Sequence, residues 1–340
     1  MESAIPAHLT AVRSRHRRVD ADYKPPYPSF VARHKPSVTR VVMAYFGLQY
    51  RGEPAPDAAS QSFATLASRA HGPSHWDHAH YVDQADFANE IFVAYWDDVA
   101  RFDAWFEPAR AAWTGAELNG TGRFIEVLRP AVERYETLFS SPGRPEGVAV
   151  IADGMSGEVL EHAYWGGMRD RIPLSQTADM RPSGTPTLLQ DGPRLRVLPH
   201  ENLCMIRSGQ DWSDTDAAER QMYLEEVEPV LREGMDFLRD EGGAIGCYSN
   251  RYMRLRGPGG VLSEKSYGQS WWQSLSALER WAESHPTHVR IFGAAMKYLS
   301  TLGPVARLRL YHEVTVAAAD EQFFEYVGCH PKTGMLAAVG

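Results

Sequence analysis

Two histidines in the last quarter of the sequence are placed where imidazole chemistry is possible. His288 shares one helical face with apolar residues at i+3, i+4, i+7 and i+11 spacing, namely Ile291, Phe292, Ala295 and Leu299. His312 lies in an alternating segment, residues 307–316, and shares its side with Leu308, Leu310, Val314 and Val316. The pattern predicts that both imidazoles face an apolar interior, and that His312 is the only ionisable group on the buried side of its strand.

Imidazoles in such a region have two explanations. Each could be a core histidine whose ring nitrogens bond to backbone carbonyls, and for either residue alone this explanation is favoured. Taken together, two inward histidines in one apolar region are equally consistent with a metal or cofactor ligand and an acid–base group. Spacing alone leaves both explanations open.

Other reactive side chains give weaker signals. His75-x2-His78-x-His80 has the spacing of a metal cluster, but its polar flanks favour a solvated loop. Ser208 follows an apolar strand and shares a face with Cys204 and Ile206, as a serine does that forms hydrogen bonds at a strand end. The run from residue 169 to residue 171 is consistent with surface ion pairs. No Gly-x-Ser-x-Gly elbow, P-loop, dinucleotide fingerprint or Cys-x-x-Cys-His motif is present in the sequence.

Composition narrows the class of protein. The 340 residues carry 35 Lys and Arg against 43 Asp and Glu, a net charge of −8, which argues against a nucleic-acid-binding protein. No apolar stretch approaches 18 residues, so no transmembrane helix is expected, and residues 1–35 lack the apolar core and cleavage site of a signal peptide. Three scattered cysteines favour a reducing, cytoplasmic setting. Aromatic residues make up 11%, enough for a large core or a large aromatic-lined pocket.

The hydrophobic pattern predicts alternating strands and helices in both halves of the chain. In the first half the predicted elements are strands 41–50 and 91–96 and helices at 58–70 and from Val99. In the second half they are strands 203–210, 246–256 and 266–272, a long helix 214–240 and a helix from Leu275. Pro229 is expected to interrupt the long helix.

A shared spacing suggests an internal duplication. Trp96-x2-Val99-x2-Phe102-x2-Trp105 aligns without gaps with Trp272-x2-Leu275-x2-Leu278-x2-Trp281, and each motif follows a predicted strand. We therefore expect an N-terminal extension at 1–40, a first α+β module at 41–181, a Gly- and Pro-rich joint at 182–199 and a second module at 200–340. The two modules are expected to pack as one unit.

Several long motifs resemble the aldoxime dehydratases, haem enzymes that convert aldoximes to nitriles. They are YWGGMRDR (164–171), IRSGQDW (206–212), GCYSNR (246–251), ERWAESHPTHVRIF (279–292), LYHEV (310–314) and CHP (329–331). The resemblance extends over nearly the whole chain and is to haem b enzymes of the phenylacetaldoxime dehydratase type. It implies duplicated ferredoxin-like antiparallel sheets flanked by helices, with haem b between a sheet and a helix of the second half, and a homodimer.

The resemblance also implies roles for individual residues. His288 matches the axial haem ligand, and His285 is expected to cap or pack. His312 matches the distal acid–base histidine, Ser208 a distal serine and Arg171 a distal arginine. Glu136, in the run YETL (135–138), matches the acidic residue beside that arginine. The segment 293–306 looks longer than the family pattern, so the adjacent pocket wall is expected to differ.

The implied reaction is dehydration of an aldoxime bound through its nitrogen to ferrous haem, with His312 moving the protons. Two alternatives remain at this point: a peroxidase-like oxidoreductase of the same superfamily, and a non-catalytic haem-binding protein. The sequence does not decide between alkyl and aryl aldoximes, and it does not identify what reduces the haem.

Overall fold

The protein is described here by a computed structural model that covers residues 1–20, 22–52, 56–115, 120–163 and 167–340. Fourteen strands are described: β1 Ala32–Arg33, β2 Val42–Tyr50, β3 His75–Val82, β4 Ala88–Trp96, β5 Gly122–Leu128, β6 Tyr135–Phe139, β7 Gly154–Met155, β8 Thr187–Asp191, β9 Arg194–Leu198, β10 Leu203–Asp211, β11 Cys247–Arg256, β12 Leu262–Trp272, β13 Arg309–Ala317 and β14 Gln322–Val327. The described helices are α1 Pro56–Ala67, α2 Val99–Thr114, α3 Gly167–Arg171, α4 Ala217–Met222, α5 Glu228–Asp240, α6 Leu275–Ser284 and α7 Pro286–Leu302. The expected α+β class is confirmed.

One large antiparallel sheet organises the chain. Its twelve strands follow the order β6-β13-β10-β12-β11-β3-β4-β2-β5-β14-β9-β8, and β1 and β7 form a separate pair. Within it, β5-β2-β4-β3 of the first half and β13-β10-β12-β11 of the second half have the same internal order. In each half, helices follow the first and third of these strands in chain order.

Each half also lends a strand to the other. β6 comes from the first half of the chain but pairs with β13, so that Glu136 lies opposite Val314. β14 comes from the second half but pairs with β5. The segment 182–199 forms the β8–β9 hairpin, and β9 pairs with β14. These exchanged strands tie the halves into one continuous sheet.

Two faces of the sheet are buried in different ways. One face of each half contributes to a shared core in which Met43 and Tyr45 of β2 join Met205 of β10 and Trp271 of β12. The opposite face is covered by helices, with α1 and α2 over the first half. Over the second half, α5 and α6 cover Cys204 and Val314.

The predicted elements are largely confirmed. The long helix 214–240 is divided, as expected near Pro229, into α4, a five-residue π turn at Tyr223–Val227 and α5. Pro229 lies in the first turn of α5, where its missing N–H leaves no bond unmade. α6 begins at Leu275 with Ser274 as its cap.

Two predictions from the sequence are wrong. The segment with His75, His78 and His80 is not a solvated loop but strand β3, and His78 is buried with Nε2 2.6 Å from Glu90. No group of three or more metal-ligating side chains occurs in the part of the chain that the structure describes. On β13 the side opposite His312 is also buried, and Glu313 there is 0% exposed. A sheet covered on both sides buries both faces of a strand, so alternation did not identify a single buried side.

Candidate active site

Four residues lie in one row across the second half of the sheet. Register pairs His312 of β13 with Ser208 of β10, Ser208 with Gly268 of β12, and Gly268 with Tyr252 of β11. Directly paired residues of antiparallel strands point to the same face, with Cβ atoms about 5 Å apart. Ser208 and His312, predicted from the sequence, are therefore neighbours on the face that the helices cover.

Glu136, Arg171 and His312 form one hydrogen-bonded cluster. Arg171 Nε donates to Glu136 Oε2 at 2.6 Å, and Arg171 Nη2 donates to Glu136 Oε1 at 3.2 Å. His312 Nε2 lies 2.8 Å from Glu136 Oε1 and 2.9 Å from Arg171 Nη2. Three residues that the sequence separates by up to 176 positions are thus brought together by the pairing of β6 with β13 and by the position of α3.

The position of His312 Nε2 suits both protonation states of the ring. A neutral ring with its proton on Nδ1 accepts a hydrogen bond at Nε2 from the Arg171 guanidinium. A protonated ring donates from Nε2 to the Glu136 carboxylate. Since His312 remains 23% exposed while both partners are almost fully buried, the ring lies at the edge of the cluster, where a ligand can reach it.

Charge in this cluster is balanced by burial and pairing. Burial raises the pKa of Glu136, but the neighbouring Arg171 and His312 outweigh this effect and hold its pKa below the usual value. Glu136 is therefore an anion at neutral pH. Arg171 is held further by Nη1, which donates to the backbone carbonyl of Glu161 at 2.6 Å. The guanidinium is thereby fixed from two sides.

His288 lies in the helix layer over the same face. Its Nδ1 lies 2.8 Å from the carbonyl oxygen of Ala282 in α6, and its ring packs edge-on against Trp281 at 4.4 Å between centroids. Burial lowers the pKa of His288 to about 4, so the imidazole is neutral at physiological pH. With the Nδ1 proton donated to a carbonyl, Nε2 presents a lone pair, which is the usual arrangement of a metal-bound histidine.

A break between two helices places this histidine. α6 ends at Ser284, and α7 begins at Pro286 with His285 as its cap, whose side chain accepts from the Thr287 amide. His285 also stacks on Phe237 at 4.4 Å, which confirms the expectation that it caps and packs. The break gives α7 a new direction, and α7 then packs against α5.

The apolar residues that share the face of His288 are only half-buried. Of the residues in α7, only Thr287 and Tyr298 are fully buried, whereas Ile291, Ala295 and Leu299 are intermediate. An apolar helix face of this kind is suited to contact a flat, apolar ligand. The chemistry of His288 and its surroundings therefore fits an iron porphyrin.

Sequence reasoning missed three contributors to this site. Ala282 and Glu161 act through backbone carbonyls, which carry no residue-type signal. Gly268 contributes no side chain to the row and is covered by Met235 of α5; a signal for it existed, since it lies four residues before Trp272, as Phe92 lies four residues before Trp96. When the alignment of the two tryptophan motifs is extended by four residues toward the N-terminus, Gly268 aligns with Phe92.

Comparison with known proteins identifies the family of this chain. Residues 44–335 match the model of the family described as haem-containing dehydratase. The aliphatic aldoxime dehydratase of Pseudomonas chlororaphis is 44% identical over 99% of this chain and 98% of that protein. The phenylacetaldoxime dehydratase of Bacillus sp. (strain OxB-1) is 31% identical, over 94% of each chain.

A solved structure gives the same result for the fold. The crystal structure of an aldoxime dehydratase in complex with butyraldoxime is 42% identical, with a TM-score of 0.94 over 100% of this chain and 97% of that chain. The match to the family model covers most of the chain, and the relatives align along nearly their full length. This chain belongs to the haem-containing dehydratase family.

Proposed function

We propose that this protein is an aldoxime dehydratase, a haem-dependent lyase that converts an aldoxime to a nitrile and water. The observation that carries the proposal is the Glu136–Arg171–His312 cluster beside Ser208, on the sheet face that the helix layer with His288 covers. The cluster supplies a proton-transfer group with its charge partners, and His288 would supply a ligand to the haem iron. Membership of the haem-containing dehydratase family supports haem as the cofactor.

His288 would hold the haem. Its neutral ring, fixed by the Ala282 carbonyl and Trp281, offers Nε2 to iron, and the backbone hydrogen bond to Nδ1 raises the electron density that the ligand donates. When bound in the ferrous state, haem supplies a coordination position for the oxime nitrogen and electron density for cleavage of the N–O bond. This chain's remaining task is to move two protons and to orient the substrate.

His312 moves those protons. In the protonated ring, Nε2–H donates to Glu136 and Nδ1–H is the proton available to the departing hydroxyl oxygen. After that transfer the neutral ring keeps its Nε2 proton, which it still donates to Glu136, so Nδ1 is a base that can take the proton from the aldoxime carbon. Because Nε2–H donates to Glu136 in both protonation states, the ring keeps its orientation through the cycle.

Ser208 orients the substrate, and Arg171 stabilises charge that develops during the reaction. The Ser208 side chain neighbours His312 in the register, so its hydroxyl is placed to bond the oxime hydroxyl group and direct it toward the imidazole. Arg171 stays positively charged and buried, which stabilises negative charge that develops on the departing oxygen. Glu136 holds both basic partners at fixed distances.

The substrate class is the aliphatic aldoximes. The sequence left the choice between alkyl and aryl aldoximes open; identity is 44% to an aliphatic aldoxime dehydratase and 31% to a phenylacetaldoxime dehydratase, which supports aliphatic substrates. The related crystal structure with butyraldoxime supports the same choice.

The fold and assembly carry further expectations. The repeated strand order β5-β2-β4-β3 and β13-β10-β12-β11 supports a duplicated ferredoxin-like architecture, with haem between the second sheet half and α7. The domain boundaries expected from the sequence, a homodimer and a cytoplasmic location remain predictions. None of the helices in the described part of the chain is long and apolar enough to cross a membrane.

A single assay tests the proposal. Haem-loaded protein, reduced with dithionite under anaerobic conditions, is incubated separately with butyraldoxime and phenylacetaldoxime, and the nitriles are measured by chromatography. We expect nitrile from both, faster from butyraldoxime, and almost none from the ferric protein. Absence of nitrile with full haem content would contradict the lyase, and faster peroxide-dependent dye oxidation would favour the oxidoreductase.

A further inference from the structure

The N-terminal arm, residues 11–19, lies against the short segment that carries Arg171. The Ala11 amide donates to Gln176 Oε1 at 3.0 Å, and the amides of Ser14 and Arg15 donate to the Gln176 carbonyl at 3.0 and 3.2 Å. Gln176 is buried and closes the 3₁₀ turn that follows α3. The arm is thus attached to the protein through its backbone, independently of most of its side chains.

Asp170 is the principal contact between the arm and α3. Its carboxylate is 1% exposed and accepts from the Arg18 amide at 3.1 and 3.0 Å and from the Val19 amide at 2.8 Å. Backbone amides that converge on a buried carboxylate form charge-assisted hydrogen bonds, stronger than neutral ones. Arg171 is the next residue along the chain, so this contact fixes the backbone that presents the distal guanidinium.

Glu161 is held by the same part of the chain. Its carbonyl accepts from Arg171 Nη1 at 2.6 Å, while its carboxylate accepts from the Ala4 amide at 2.8 Å and pairs with Arg17 at 3.5 Å. Asp170 fixes Arg171 through the backbone, and Glu161 fixes it through a carbonyl oxygen. The carboxylates of both residues accept hydrogen bonds from backbone amides of the N-terminal residues.

The arm also reaches the helix that supports His288. The Arg18 guanidinium lies 3.8 Å from Glu279 and 3.4 Å from Glu283, both on α6. Glu279 in turn binds Arg169 of α3 through both carboxylate oxygens, the shortest contact being 2.6 Å. α6 presents the Ala282 carbonyl to His288. The contacts of Arg18 and Glu279 therefore connect the segment of Arg171 to the helix that orients the proposed haem ligand.

We propose that the N-terminal arm is a clasp that sets the position of Arg171, with Asp170 as the positioning residue. α3 has five residues, too few for a helix to be stable on its own, so contacts from outside must hold it. Asp170 touches neither substrate nor cofactor and acts through Arg171. The inference rests on the proposed function because it gives Arg171 a role in the transition state.

The first test is Asp170→Asn, which keeps the size of the side chain but removes the negative charge that accepts hydrogen bonds from the Arg18 and Val19 amides. We expect kcat to fall about 10- to 100-fold, as a small displacement of a catalytic group does, with KM and haem content little changed. In an Arg171→Lys background the same substitution should cause almost no further loss. Asp153→Asn, at an exposed ion pair with Lys35, is the matched control and should leave kcat unchanged.

A second measurement does not depend on aldoxime turnover. Hydrogen exchange of the Arg18 and Val19 amides and of residues 167–171 should accelerate in Asp170→Asn and remain unchanged in Asp153→Asn. Unchanged exchange, wild-type kcat in Asp170→Asn, or an equal loss in the Arg171→Lys background would each overturn the clasp. If the wild-type protein forms no nitrile, the proposed function fails, while the exchange result still decides whether the clasp exists.

Discussion

The two halves of the sheet share a strand order but treat the same positions differently. In the first half the register aligns Ile125, Phe46, Phe92 and His78 across four strands. The equivalent row of the second half is His312, Ser208, Gly268 and Tyr252, since Phe92 and Gly268 each lie four residues before the tryptophan that ends the strand. A row filled with large apolar side chains in one half corresponds, in the other half, to the row that contains the candidate site residues His312 and Ser208.

Aromatic packing accounts for the difference. Phe92 stacks on Phe63 with centroids 4.7 Å apart, and Phe46 contacts Phe63, Trp105 and Trp113 at 5.4 to 5.7 Å. In the second half, by contrast, serine and glycine leave the face next to His312 free of large rings, and Met235 of α5 packs over Gly268. The first half stabilises the fold, and the second provides the surface on which chemistry is possible.

The helices differ in the same sense. α2 continues unbroken for 16 residues, with Trp105 in its buried face. The equivalent helix α6, with Trp281 at that position, stops after 10 residues, and α7 restarts at Pro286 in a new direction. The proposed axial ligand is thus provided by a helix break that the first half lacks.

The largest effect is expected at that break. His288→Ala removes the side chain proposed to bind the haem iron. We therefore expect the purified variant to lack a Soret band and to form no nitrile. His285→Ala, three residues earlier, loses a helix cap and should cost about 1 kcal/mol of stability while it keeps haem. Full haem content in His288→Ala would refute the ligand role.

Next in size is removal of the distal imidazole. His312→Ala leaves His288 and the helix layer intact, so haem content should stay normal while kcat falls by about 10²- to 10⁴-fold. Glu136→Gln should reproduce part of this loss, because the protonated ring then lacks its anionic partner at 2.8 Å. Wild-type rates in His312→Ala, at equal haem content, would remove this residue from the mechanism.

Equivalent positions in the two halves of the sheet, Phe46 and Ser208, allow a paired experiment. Phe46→Ala deletes a fully buried ring from the aromatic cluster and should lower the free energy of unfolding by about 3–5 kcal/mol. The kcat per bound haem should remain unchanged, since Phe46 lies in the other half of the sheet. Ser208→Ala, at the equivalent position, should show the reverse: stability within about 0.5 kcal/mol and kcat lowered roughly 3- to 10-fold by loss of one hydrogen bond.

Denaturant unfolding and nitrile formation on the same preparations separate the two outcomes. Equal losses of activity in both variants would show that the row of Ser208 has no special role. Equal losses of stability would show that the second half is packed as the first half is. Either result would contradict the division between the halves.

Local periodicity explains which of these features the sequence could predict. Strands β2 and β10, the paired tryptophans and the inward side of His288 and His312 follow from spacing within single segments. The cluster around His312 does not, because it depends on β6 joining β13 across more than 170 residues, and strand partners at that distance leave no periodic trace. Glu136 and Arg171 were identified through the family resemblance alone.

The wrong expectations have a related cause. The polar residues around His78 predict a loop, yet His78 is buried in β3, where its ring forms a hydrogen bond with Glu90 on the neighbouring strand β4. Glu313 was assigned to the side of β13 opposite the buried one, because alternation cannot reveal that a second layer covers that side. Both errors concern polar side chains that are buried against partners on other elements of the fold.

The smallest effect concerns Glu313, directly behind the reactive face. Burial raises its pKa to about 7, against the opposing effects of Arg207 and of the Val148 amide, which donates to Oε1 at 2.7 Å. In the unfolded chain the carboxyl group titrates near pH 4.5. Between these values the folded state holds a proton that the unfolded state releases, so stability should fall as pH rises from about 4.5 through about 7.

Glu313→Gln should remove that pH dependence. The amide oxygen can still accept from Val148, and no charge forms at high pH, so the variant should exceed the wild type by roughly 1–3 kcal/mol at pH 8 and match it near pH 4.5. Denaturant unfolding at both pH values measures this, with Asp153→Asn as the exposed control. Parallel pH profiles for Glu313→Gln and the wild type would show that the second half tolerates this buried charge. In the first half the equivalent carboxylate, Glu126, is also buried but is paired with Arg251 at 2.6 Å, so parallel profiles would remove the expected difference between the halves at this position.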